Sequence, residues 1–140
     1  MTSSTTPKTI MLRGSPIASE GTVTGAVITP GMAVTPSGAN VARSGANAVS
    51  PGFAREADLV GRGIDDDYAV GERCLYWTPR KGDWFYAILG TSQEIAAGAS
   101  LSTGANGVLV AQTSTNPTVA RALEAVTTTG EVARIKVEVV

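Results

Sequence analysis

A chain of 140 residues with eleven basic and twelve acidic side chains, a net charge of −1 and no histidine excludes several function classes together. Nucleic-acid binders set Lys and Arg against phosphates and release counterions. Here the basic residues are scattered and only Arg80 and Lys81 adjoin, so neither nucleic acid nor an anionic membrane surface is an expected partner. The length suits one domain able to bury about two thirds of its unfolded surface, and charged residues make up only 16% against roughly 25% in an ordinary soluble domain. A sparsely charged surface lowers the desolvation cost of contact with another protein.

The opening residues 1–8 are Ser, Thr and Pro with a single Lys, a composition too polar to dock alone and read as a flexible leader. They show neither the basic nor the apolar region of a secretory signal. No apolar run approaches the roughly 18 residues of a membrane-spanning helix, so folding in a reducing cytosol is expected. Thr9, Ile10, Met11, Leu12 and Arg13 form a short apolar stretch closed by Gly14 and Pro16. It fits either a first strand or an extended arm that adds to a neighbour's sheet edge, and the polar leader favours the arm. Residues 1–19 are thus expected as leader and arm, and residues 20–140 as one β-rich domain.

From Gly21 to Gly52, short β-branched runs alternate with Gly and Pro, with no sustained 3.6-residue period. Pro30-Gly31 predicts a turn, since Pro presets φ and Gly accepts the positive φ that follows. Phe53 to Leu59 predicts one helical turn anchored by those two residues, and residues 61–67 a connecting loop. Residues 73–78 and 83–89, joined by Pro79-Arg80-Lys81-Gly82, predict a hairpin. That segment carries five of the seven aromatics (Tyr76, Trp77, Trp84, Phe85 and Tyr86), which places it at a core or a subunit contact. Cys74, followed by Leu75 and Tyr76, fits a buried strand position and has no partner for an internal disulfide.

A strand entering at Leu101 precedes Gly104-Ala105-Asn106-Gly107, whose Asn-Gly pair predicts a hairpin returning through Val108-Leu109-Val110. Residues 119–126 are Ala-rich yet flanked by Thr, and in an all-β chain they read as a strand. Arg134 to Val139 alternates charged with apolar residues, the pattern of a half-buried strand with Ile135, Val137 and Val139 inward.

No candidate for chemistry survives this reading. Asp65-Asp66-Asp67 lacks the alternating D-x-D-x-D-G spacing of a calcium loop and fits a solvated turn. A Ser nucleophile needs a base, and without His only a Lys or an N-terminal amine remains. Lys8, Lys81 and Lys136 fall in a leader, a turn and an outward strand face. The Gly61-Arg62-Gly63 and Gly104–Gly107 segments match no phosphate loop. Lys81 sits at an expected hairpin tip, as the modified lysine of lipoyl and biotinyl carriers does, but in a different local context. The expectation is a protein that is no enzyme and uses no catalytic residue, cofactor or metal.

The order of Ile28-Thr-Pro-Gly-Met-Ala-Val34, Tyr68-Ala-Val-Gly-Glu-Arg73, Ile95-Ala-Ala-Gly-Ala-Ser-Leu101, Gly104-Ala-Asn-Gly-Val-Leu-Val110 and Ala133-Arg-Ile-Lys-Val-Glu-Val139 resembles the capsid decoration, or cement, proteins of tailed-bacteriophage heads. The resemblance implies a small β-barrel or β-sandwich, of tulip or jelly-roll form, with an extended N-terminal arm. It also implies a structural virion protein on the outer capsid surface, assembled in the host cytoplasm as a homo-trimer or homo-dimer. Its partner would be the major capsid protein, whose lattice it stabilises, with residues 9–13 as the capsid-contact arm. The alternative is a carbohydrate-binding or adhesin-like module stacking sugars on Trp77, Trp84 and Tyr86.

Overall fold

The computed structural model describes residues 7–113 and 115–140; the first six residues of the expected leader lie outside them. The described residues hold thirteen strands and two short 3-10 turns, with no α-helix among them. The strands are β1 (Met11–Arg13), β2 (Ile17–Val23), β3 (Ala33–Ser37), β4 (Asn40–Arg43) and β5 (Gly52–Ala54), then β6 (Arg73–Thr78) and β7 (Trp84–Leu89). They continue with β8 (Glu94–Ile95), β9 (Ser100–Thr103), β10 (Leu109–Ala111), β11 (Ala120–Ala122), β12 (Val126–Thr127) and β13 (Ala133–Val139). The chain is all-β, as its turn-punctuated β-branched runs predict.

The first half closes into a barrel of β2, β4, β3, β5 and β6. Alternation along each strand sends Val23, Val34, Val41, Ala54, Cys74 and Tyr76 into its interior, where they meet Ile28 and Tyr68 from the connecting loops. The second half is a six-stranded sheet ordered β1-β7-β10-β9-β11-β13, and the further pairing of β7 with β13 closes five of those strands into a second ring. Phe85, Ala87, Leu89, Leu101, Leu109, Ala120, Ala122, Ile135 and Val137 fill it. Strands β8 and β12 form a separate two-stranded ribbon.

The halves share side chains across their seam. Phe53 leaves the barrel wall on β5 to stack on Phe85 of β7, ring centroids 5.0 Å apart. Ile88 of β7 points the other way and joins the barrel core.

Local signals are realised where short-range chemistry decides them. The Met32 N–H donates to the Thr29 carbonyl at 3.0 Å, closing the Pro30-Gly31 turn with Gly31 at φ +96°. A Cβ at Gly31 would stand 2.6 Å from Arg134 Nη1 and 2.8 Å from the Tyr86 carbonyl oxygen. Gly31→Ala is therefore expected to lose about 2–4 kcal/mol, strain and overlap together; urea unfolding with an unchanged m-value checks it. Asn106 and Gly107, at φ 60° and 76°, turn β9 into antiparallel β10 as expected. β13 buries Ile135 and Val137 and leaves Val139 half-buried.

Four expectations change. The stretches over residues 73–78 and 84–89 are strands, but they do not form a hairpin: β6 pairs with β2 and β5, and β7 with β1, β13 and β10. The turn itself exists, with the Asp83 N–H donating to the Arg80 carbonyl and the Asp83 carboxylate accepting from Arg80 N–H at 2.7 Å. It carries the chain from one sheet to the other. The helical turn over residues 53–59 is instead a strand through Ala54 followed by a 3-10 turn at Asp58–Val60, so Phe53 anchors and Leu59 does not. The strand over residues 119–126 is two short strands in different sheets.

The fourth change concerns residues 9–13. Ile10 is fully buried in the second core, and β1 pairs antiparallel with β7 of its own chain. The Tyr86 N–H donates to the Ile10 carbonyl at 2.7 Å, and the buried Glu56 carboxylate accepts the Ile10 N–H at 2.8 Å. An extended arm pairing with a neighbour is replaced by a first strand of the body. The boundary drawn between residues 19 and 20 falls inside β2.

Candidate interaction surface

The five aromatics expected at a core or contact divide by strand alternation. Tyr76 and Phe85 are buried, one in each core. Trp84 and Tyr86 face outward and are half-buried, while half-buried Trp77 packs against the second core. Each of the three carries an arginine over its ring: Arg55 over Trp77 at 4.4 Å, Arg13 over Trp84 at 4.7 Å and Arg134 over Tyr86 at 5.7 Å. Such guanidinium–ring contacts are worth about 0.5–2 kcal/mol each, more as water is excluded.

Trp84 sits in a row that register builds across four strands. Arg13 of β1 faces Trp84 of β7, Trp84 faces Glu138 of β13, and Glu138 faces Arg121 of β11. The indole N–H of Trp84 donates to Glu138 Oε2 at 3.1 Å, and Arg121 Nη2 to Glu138 Oε1 at 2.7 Å. Arg121 first, and the indole second, hold the Glu138 carboxyl below its usual range.

Arg134 ties the connecting loop to the sheet. Its guanidinium donates to the Pro30 carbonyl at 2.8 Å and to the Ile64 carbonyl, and pairs with Asp65 at 3.3 Å. Asp65, Asp66 and Asp67 are exposed, and the Asp66 carboxylate closes its own turn by accepting the Gly63 N–H at 2.7 Å. These carboxylates serve the loop. Lys81 is exposed at the β6–β7 turn.

Trp77 lies on the barrel while Trp84 and Tyr86 lie on the other sheet, so the three rings form no single platform on one sheet. Arg55 Nε and Trp77 Nε1 are buried without an acceptor among the described residues.

Cys74 fills the strand position expected of it. Burial pushes its thiol from 9.0 up to about 12, and burial likewise pushes the Tyr68 phenol up to about 12. Both groups ionise first in the unfolded chain, so the stability they carry is complete below about pH 9 and falls as pH rises toward 12. Folded protein is accordingly expected to leave Cys74 unalkylated by iodoacetamide at pH 8, with full modification in urea; mass spectrometry reads both.

The sequence did not reveal the exposed apolar residues. Leu59 and Val60, on the 3-10 turn after β5, are 89% and 74% exposed, and Val49 is 76% exposed. Val49 rims a cleft of about 250 Å³ lined by Pro51, Phe53, Pro79, Val139 and Val140, with Lys81 at its edge. The available signal was local: Leu59-Val60 lies between Asp58 and Gly61, in a loop with no alternation to bury it.

Two fused five-stranded rings with a shared aromatic seam define an all-β protein of barrel architecture. No protein-family model matches the chain, and no curated protein matches it. Among solved structures, the head fiber gp8.5 N base in bacteriophage phi29 is similar in fold, with a TM-score of 0.59 over 90% of this chain and 95% of that one at 12% identity.

Proposed function

We propose that this chain is a structural protein of a tailed-phage head. It docks on the outer surface of the capsid, takes the major capsid protein as its partner, stabilises that lattice and catalyses nothing. The observation that carries the reading is the fold likeness, which runs through nine tenths of both chains, to a protein described as the base of a phage head fiber. The likeness is one of fold; the step to function rests on its agreement with the sequence resemblance to capsid decoration proteins.

The surface suits the role. Low charge reduces the desolvation cost of protein contact, and the near-neutral balance supplies no field for nucleic acid. A protein repeated over a lattice needs only modest affinity at each site, since adjacent copies raise one another's effective concentration. Cosedimentation with heads assembled from the major capsid protein of the same genome tests this. Saturable binding at a fixed ratio to that protein, confined to expanded heads, is expected. Absence of binding to heads in either state would refute it.

A further inference from the structure

Leu59 and Val60 are the most exposed adjacent pair of large apolar side chains in the described residues, and no other described residue covers them. They stand on a 3-10 turn whose far end is fixed by the Gly61 N–H donating to the Asp58 carbonyl at 3.1 Å. An exposed, contiguous aliphatic pair in water is a candidate contact site.

The cleft beside Val49 is complementary to it in two respects, size and charge. Its volume of about 250 Å³ exceeds the roughly 150 Å³ that accommodates a benzene ring, so it has room for one branched aliphatic side chain and part of the next. Its walls combine apolar side chains, among them Val49, Pro51, Phe53 and Val140, with polar Ser50 and Thr78. Its charged rim residue is Lys81, which makes no ion pair among the described residues, whereas the knob is flanked by Asp58, more than half exposed and paired only with its neighbour Arg55. Size and charge match between two patches of one molecule. Leu59, 89% exposed, does not enter its own chain's cleft.

We infer that Leu59 and Val60 seat in the Val49–Val140 cleft of a second copy of this chain, with Asp58 facing Lys81, in a head-to-tail contact. Knob and socket are different patches, so the interface is heterologous and the association closes into a ring when the rotation between copies permits. Each copy keeps one knob and one socket, and this asymmetry makes the contact testable by mixing.

Full-length protein is examined by sedimentation velocity in a dilution series up to roughly 100 µM, a range that reveals contacts of micromolar strength. Wild type is expected to associate. Leu59→Asp and Val49→Asp, both on exposed positions that leave the fold intact by circular dichroism, are each expected to weaken association at least tenfold. Leu59→Asp keeps its socket and Val49→Asp keeps its knob, so an equimolar mixture is expected to form a dimer of the two variants and nothing larger. Lys81→Glu is expected to weaken association, and Asp58→Lys introduced with it to recover part of the loss. A wild type that stays monomeric throughout overturns the inference. So does association that survives both single variants, or a mixture that fails to pair.

Discussion

Phe85→Ala is expected to remove about 3–5 kcal/mol of stability and to lower the thermal midpoint by roughly 10 °C or more. Phe85 has no exposed surface and lies at the centre of the second ring, with β1 on one side of its strand and β13 on the other. Its ring is the surface on which Phe53 of the barrel stacks. Truncation therefore leaves a cavity at the joint between two halves, where neither can close without moving the other. Domains of this kind hold about 5–15 kcal/mol in all, so a third or more of the total is at stake. Phe53→Ala removes the other partner, and the double variant should be less destabilised than the sum of the singles, because the stacking contact is lost only once. Urea unfolding of all three proteins measures the coupling. Strict additivity would show that the halves do not share a core.

Deleting residues 1–13 is expected to cost at least about 4 kcal/mol and to collapse the soluble yield. The deletion removes fully buried Ile10, for which truncation to Ala alone costs about 2–5 kcal/mol. It also takes β1 from the edge of β7, and with it the Ile10 carbonyl that accepts the Tyr86 N–H. Glu56 then loses the Ile10 N–H its carboxylate accepts, and a buried acceptor without a donor costs about 1–3 kcal/mol. Thermal melts followed by circular dichroism decide the point. A truncated protein melting within a few degrees of full length would show that these residues are a dispensable arm.

The sequence was legible where one strand or one turn carries the whole signal. β13 alternates Arg134, Lys136 and Glu138 against Ile135, Val137 and Val139, and no partner is needed to read that face. Pro30-Gly31 and Asn106-Gly107 demand positive φ, which few other pairs supply, so both turns were predictable.

Pairing was not legible. The β6 and β7 sequences, joined by a short polar turn, satisfy every local condition for a hairpin. What decides otherwise is competition from β2, β5, β1 and β13, whose sequences lie far away. Ile10 follows the same logic. A short apolar stretch behind a polar leader fits an arm and a first strand equally, and only the pocket beside Tyr86 and Glu56 separates them.

The candidate surface was half legible. Aromatic clustering located β6 and β7, yet alternation sends Tyr76 and Phe85 inward and leaves Trp77, Trp84 and Tyr86 beneath arginines. The Arg13–Trp84–Glu138–Arg121 row joins four strands through register alone, which composition cannot display. Leu59 was expected as an anchor because it is apolar, but its loop offers no wall to pack against.

The capsid role is tested most directly by cryo-electron microscopy of heads assembled with and without this protein. The account predicts added density at repeated positions on the outer surface of expanded heads, of a size and shape that accommodates the two fused rings. Heads that look identical in both preparations, or density confined to the interior, would contradict it.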